Sequence, residues 1–233
     1  MKKTILYIIP LIFMSCTYSQ EGKQETKKAE NPILIPIETP FNQLDVSSID
    51  NVILEKGTSQ KIEITKGQEF QNLLEINVVG NKLVISKKKS SNKQIYLKIT
   101  YKELNQIKLV NIGGSSCLNA IITPKIIIDV QDLGQANLIF DCVNLKLHAS
   151  HTADLNLTGQ SKNSEIEVEN IAELNASGLK NDQLKITAKN ITGGVINVTE
   201  NLDLELENCA SFTVKGSPTI IKKEIKNVAN FKM

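Results

Sequence analysis

A five-residue unit recurs through the second half of this 233-residue chain, and its spacing constrains the fold more than any other feature. Each copy runs turn-prone, variable, small, polar, apolar. The copies are Gly114-Ser115-Ser116-Cys117-Leu118, Gly134-Gln135-Ala136-Asn137-Leu138, His151-Thr152-Ala153-Asp154-Leu155 and Asn170-Ile171-Ala172-Glu173-Leu174. Ile191-Thr192-Gly193-Gly194-Val195, Asn208-Cys209-Ala210-Ser211-Phe212 and Asn227-Val228-Ala229-Asn230-Phe231 complete the series, with starts separated by 20, 17, 19, 21, 17 and 19 residues. A fainter copy, Ser48-Ile49-Asp50-Asn51-Val52, stands earlier. Between copies lie alternating segments at 126–130, 145–149, 165–169, 184–188 and 202–206. Strict alternation marks strands with one buried face, and no stretch has the long helical periodicity a crossover helix needs. The chain therefore reads as all-β, a parallel β-solenoid whose coils of roughly 17–21 residues stack about 4.8 Å apart.

Stacking turns equivalent positions into columns. Leu118, Leu138, Leu155, Leu174, Val195, Phe212 and Phe231 are expected to form an inward apolar column. Ser116, Ala136, Ala153, Ala172, Gly193, Ala210 and Ala229 are expected to line a tight bend beside it. Gly114, Gly134, Asn170, Asn208 and Asn227 are expected at the corner, where Gly and Asn best tolerate a left-handed backbone. Ile191 does not fit that corner, and Asn190 with one inserted residue takes its place. The first half is β-rich but less regular. Strands are expected at 52–55, 61–65, 76–79, 83–86 and 95–101, with a hairpin turn at Gly80-Asn81 and one helical turn at 69–74. The lysine-rich stretch 87–93 reads as a solvated loop tip.

The N-terminus reads as an export signal. Lys2 and Lys3 precede a ten-residue apolar run, Ile5 to Met14, broken by Pro10 and too short to span a bilayer. Phe13-Met14-Ser15-Cys16 resembles a bacterial lipobox, which implies a signal peptide over residues 1–15 and lipidation at Cys16. Secretory cleavage a few residues later, for instance after Ser19, is the alternative. Residues 16–37 then form a polar tether and 38–233 a single solenoid domain. The other cysteines, Cys117, Cys142 and Cys209, are odd in number and lack CxxC spacing, so they are expected as buried free thiols.

Composition narrows the function. All 27 basic residues are lysine against 25 acids, and removal of Lys2 and Lys3 with the signal leaves 25 of each. A neutral chain without arginine is a poor phosphate binder, so no nucleic-acid partner is expected. The absence of Trp weakens any site built on sugar stacking. His148 points outward by alternation and His151 sits at a corner; with Asp154 they do not complete a metal sphere, and no metal or cofactor site is expected. Gly113-Gly114-Ser115-Ser116 lacks the following Lys-Ser/Thr of a phosphate loop.

The rung series is similar to the Gly-Ala-Ser-Asp-Val signature of the bacterial family "putative auto-transporter adhesin, head GIN domain". Phe41-Asn42-Gln43-Leu44-Asp45-Val46-Ser47, Leu83-Val84-Ile85 and Gly216-Ser217-Pro218 also resemble it, over about residues 38–233. The chain departs from it by placing Asn, His or Ile at the rung glycine in five coils and by lacking a Tyr before Lys215. The resemblance implies a right-handed parallel β-helix common among exported proteins of Bacteroidetes. The expected function is a non-catalytic, adhesin-like exported lipoprotein at the cell envelope, held to the outer membrane by its lipid and facing periplasm or cell surface. An envelope protein or a glycan is the expected partner. The alternative is a polysaccharide lyase or hydrolase using outward acids such as Asp129, Glu165, Glu167, Asp203 and Glu205.

Overall fold

The computed structural model describes residues 31–89 and 91–233. The signal segment, Cys16 and most of the tether lie outside the described residues, as does Ser90 in the lysine-rich loop.

Among the described residues twelve strands form one continuous hydrogen-bonded system. β1 (Ile33–Pro36), β2 (Gln43–Ser47), β3 (Asn51–Lys56), β4 (Lys61–Lys66), β5 (Leu74–Val79), β6 (Lys82–Lys87) and β7 (Tyr96–Tyr101) occupy the first half. β8 (Gln106–Cys117), β9 (Ile121–Ser150), β10 (Asp154–Glu169), β11 (Glu173–Lys215) and β12 (Thr219–Lys232) occupy the second. A straight strand as long as β11 would extend roughly 140 Å at about 3.3 Å per residue. Instead it winds, and each coil pairs in parallel with the next: Ile107 opposes Ile128, Leu155 opposes Leu174, Ile166 opposes Ile186 and Phe212 opposes Phe231.

Apart from the β6–β7 coil, each coil turns at a left-handed residue that is not glycine. Ser48, Asn111, Asp132, His151, Asn170, Asn190, Asn208 and Asn227 all have φ between 51° and 59°. These eight positions fix the true register. The expected corners at Asn170, Asn208 and Asn227, the substitution of Asn190 for Ile191 and the early copy at Ser48 all hold. Gly114 and Gly134 are not corners; Asn111 and Asp132 are, two or three residues earlier.

That shift relocates two columns. The inward column on Leu155 is Val52, Ser115, Ala136, Leu155 and Leu174, followed by Gly194 and then Phe212 and Phe231. Leu118, expected within it, is 53% exposed. Leu138 is buried but opposes Leu157 in the neighbouring column, and Val195 is only half-buried. Of the expected small column only Ala136 is buried; Ala153, Ala172, Ala210 and Ala229 lie on the outside of the corner, and Ser116 and Gly193 are half-buried. The corner residue points out and the next one, as in Ile112, Leu133, Thr152, Ile171, Ile191 and Cys209, points in. A second apolar stack, Leu83, Leu44, Ile107, Ile128, Leu147, Ile166, Ile186 and Leu204, runs up the other sheet face. Each buried aliphatic side chain contributes roughly 1.5–3 kcal/mol before chain entropy is subtracted, so columns of Ile, Leu and Val replace the missing aromatics.

The first half also follows the solenoid, but out of chain order. β2 and β3 form one coil, stacked on β8 through Leu44–Ile107 and Val52–Ser115. β6 and β7 form another on its far side, through Leu83–Leu44 and Leu97–Val52. Antiparallel β5 then covers β6, and antiparallel β4 and β1 cover β7. The Gly80-Asn81 hairpin joins β5 to β6, and the expected helical turn is a 3-10 turn at Gln68–Leu73. Lys87 does not belong to a solvated tip. Its side chain is 5% exposed, and its ammonium donates to Asp50 Oδ2 at 2.8 Å and to the Lys93 carbonyl at 2.7 Å, and so closes the loop that replaces a corner.

Outside the corners runs a ladder of amides. Asn227 donates to Asn208, Asn208 to Asn190 and Asn190 to Asn170, each through Nδ2 to Oδ1 at 3.0 Å. Asn170 Nδ2 continues to 3.4 Å from His151 Nε2. Asn is favoured here twice over, for the backbone and for the ladder. Asn190→Ala is expected to cost about 1–2 kcal/mol, because alanine resists the left-handed region and breaks two rungs. Asn190→Gly should cost less than half as much. Urea midpoints of the two variants check the order.

Candidate interaction surface

The outward positions between Asn163 and Glu169, repeated in each coil, form a charged face. One column reads Ile127, Lys146, Glu165, Lys185, Asp203, Lys222, with opposite charges in successive coils. Lys146 Nζ lies 3.2 Å and Lys185 Nζ 3.6 Å from the Glu165 carboxylate. The next column holds Lys108, Asp129, His148, Glu167, Thr187, Glu205 and Glu224. His148 points outward as expected, and its Nδ1 lies 3.2 Å from Asp129 Oδ1 on the coil above. Lys189 reaches Glu205 at 3.7 Å. Exposed pairs of this kind each contribute little, but their repetition fixes a charge pattern along the axis.

A groove of about 550 Å³ runs beside this face where the coils turn. Its lining repeats two adjacent positions, Lys125, Asn144, Asn163, Gln183 and Asn201 nearer the surface and the buried Leu145, Ser164 and Leu184 beside them, and Asn163 donates to Asn144 at 3.1 Å. The charged column forms one wall, and Ile221 closes the end. Ile221 is 66% exposed because the register slips between Leu202–Ile220 and Asp203–Lys222, which pushes the extra residue outward. The groove spans about five coils, roughly 20 Å at 4.8 Å each. Its signal in the sequence is the run of Asn and Gln just ahead of each alternating segment.

The other candidate residues are dispersed. His151 and Asp154 sit one coil-corner apart from His148, and among the described residues no cluster of three or more His, Cys, Asp or Glu has the geometry to hold a metal. Gly113 to Ser116 belong to β8, stacked on Asp50 and β3. Cys117, Cys142 and Cys209 are free and buried, as expected. Burial pushes all three thiols up, Cys117 to about 11, which disfavours the nucleophilic thiolate. The outward acids Asp129, Glu165, Glu167, Asp203 and Glu205 do share one face. The hydrogen-bonded ammonium of Lys146, helped by Lys185, holds the Glu165 carboxyl below the usual carboxylate range. A glycosidase proton donor requires the opposite shift. Among the described residues no helix is long and apolar enough to cross a membrane.

Three solved structures share this architecture. A putative adhesin from Bacteroides fragilis is 21% identical, with a TM-score of 0.73 over 87% of this chain and 96% of its own. A putative adhesin from Parabacteroides merdae is 15% identical, with a TM-score of 0.64 over 87% and 95%. A putative lipid binding protein from Parabacteroides distasonis is 14% identical, with a TM-score of 0.60 over 87% and 97%. At these identities the likeness is one of fold. No curated protein matches the chain. The family model "Putative auto-transporter adhesin, head GIN domain" matches residues 40–218, from just ahead of β2 to the Gly216-Ser217-Pro218 turn between β11 and β12. The rung series and the stacked coils thus have one origin: the chain belongs to the head GIN domain family of putative auto-transporter adhesins.

Proposed function

We propose that this protein is a non-catalytic, adhesin-like protein of the cell envelope that binds a glycan strand along its axial groove. The observation that carries this reading is the repetition of the groove itself: the same amide and charged positions recur coil after coil. Amides offer paired donors and acceptors to hydroxyl groups, and a wall of alternating sign favours a polar ligand without strong net charge. Without tryptophan each contact is weak, so affinity comes from many coils acting together. Family membership and the adhesin names of similar structures support an exported, surface-related role.

The anchor is a separate part of the proposal. Lipid on Cys16 holds the protein to the outer membrane after removal of residues 1–15, and the part of the tether ahead of β1 gives the solenoid reach, because Ile33–Pro36, expected within the tether, already pair with β4. Mass spectrometry of the mature N-terminus is expected to find acyl chains on Cys16; an unmodified terminus beyond it overturns the anchor alone. For the groove, the purified protein is tested on a glycan array, with product release measured on every glycan retained. Retention without cleavage, lost in Asn163→Asp with Lys185→Glu, is the expected result. Cleavage products establish the enzyme reading instead, and failure to retain any glycan overturns the glycan ligand in favour of a protein partner.

A further inference from the structure

The groove carries a second periodicity, twice that of the coils. Each coil adds one amide or lysine to the outer row, but apolar lining recurs only at every second coil. Leu145 supplies it, Ser164 stands in the same place one coil on, and Leu184 restores it in the next. Leu202 holds that place in the following coil but is fully buried, so Asn201 and Asp203 line the groove there. Ile221, on the coil of Lys222, is the next apolar side chain and the most exposed of the three. The charged wall keeps the same beat: Lys146 and Lys185 stand in the apolar coils, Glu165 and Asp203 in the others. Ser164 Oγ donates inward to the buried Asn181 Oδ1 at 2.6 Å, which leaves its lone pairs to accept from a ligand.

Two coils span roughly 10 Å at about 4.8 Å each, close to one disaccharide of an extended β-1,4-linked glycan. In such a strand alternate sugars turn the same edge to one side. Granted a glycan in the groove, we propose that it is an uncharged β-1,4-linked strand of N-acetylhexosamine, an assignment that rests on that reading. The acetamido group joins a methyl to an amide, and the apolar coils offer both partners side by side. Its methyl meets Leu145, Leu184 and Ile221, and its N–H and C=O suit the neighbouring Asn144 and Gln183 amides. The coils between, with Ser164 and Asn163, face the hydroxyl edge of the intervening sugars. Charge selects against uronic acids and free amines. Lys146 and Lys185 both engage Glu165, at 3.2 and 3.6 Å, and each charge along the wall is followed by its opposite.

Isothermal titration calorimetry of the purified protein tests this with the hexasaccharide of β-1,4-linked N-acetylglucosamine. Three comparisons are cellohexaose, which has hydroxyls in place of the acetamido groups, the de-N-acetylated hexamer, and a hyaluronan oligosaccharide. The acetylated hexamer is expected to bind, and the other three to bind roughly tenfold more weakly or worse. Ile221→Asn is expected to weaken the acetylated hexamer roughly threefold, the loss of one of three apolar contacts. Val79→Asn, on the exposed hairpin away from the groove, is expected to leave it unchanged. Circular dichroism checks the fold of both variants. Cellohexaose binding as tightly as the acetylated hexamer, or tighter binding of either charged comparison, overturns the acetamido assignment and leaves a glycan groove standing. So does retention of other array glycans without any response to the acetylated hexamer. Equal affinity of wild type and Ile221→Asn overturns the placement of the strand along these coils. Failure of every glycan to bind removes the glycan reading and this assignment together.

Discussion

Leu155→Asp is expected to abolish folding, while Leu118→Asp is expected to leave the protein folded. Both leucines close the same five-residue unit in the sequence, so a reading from the repeat alone makes them equivalent. The structure separates them. Leu155 is fully buried between Ala136 and Leu174 in a column where the described residues offer no charged partner. Placing a carboxylate there costs several kcal/mol even after the group protonates, a large part of a domain's total stability of roughly 5–15 kcal/mol. Leu118 is 53% exposed on the outside of the coil, where an acid loses only a partial contact, within about 0.5–1 kcal/mol. Soluble yield and thermal unfolding by circular dichroism check both variants. Leu155→Ala supplies a graded point, expected to lose about 2–5 kcal/mol while still folding. Equal tolerance of Asp at the two sites contradicts the register in which Asn111 and Asp132 are corners.

The reason the sequence is ambiguous at Leu118 lies in what glycine signals. A repeat search places Gly114 and Gly134 at corners because glycine tolerates positive φ, yet every corner from Ser48 to Asn227 uses a polar residue with a side chain. Glycine serves close approach here instead. A Cβ on Gly134 would lie 2.2 Å from the Gly113 carbonyl oxygen, and one on Gly113 would lie 2.4 Å from that of Asp50. The pair that marks the corner is Asn, Asp or His followed by an inward residue, as in Asn111-Ile112, Asp132-Leu133 and Asn170-Ile171. The five later coils were legible because their corners are Asn or His and their steps nearly uniform. The N-terminal coils were not, because β6–β7 stacks above β2–β3 although it follows in sequence, and local alternation carries no information about such an order. Lys87 shows the same limit: its ion pair with Asp50 joins residues that only the stacking brings together. The groove was partly legible. Its charged wall is the polar half of each alternating strand, but its row of amides beside Leu145 and Leu184 depends on which positions of successive coils align.

Gly159 provides the second large effect, and Gly80 its control. Both have positive φ, +106° and +64°, so alanine at either site meets backbone strain. At Gly80 that is the whole penalty, because the hairpin turn is open and a Cβ would meet nothing within 4 Å. Gly80→Ala is therefore expected to lose about 1 kcal/mol. Gly159 lies within β10, between Phe140 and Leu179 of the flanking coils, and its Cβ would fall 1.9 Å from the Phe140 carbonyl oxygen. No side-chain rotation relieves a clash between a Cβ and backbone. The strand must move away, and movement breaks parallel hydrogen bonds to the coils on both sides at once. Gly159→Ala is thus expected to lose about 3–5 kcal/mol, several times the cost at Gly80. Urea unfolding of the two variants measures the ratio. Similar losses at the two sites would mean that coil spacing yields locally at Gly159, which contradicts a stack in which each coil is held by the backbone of the next.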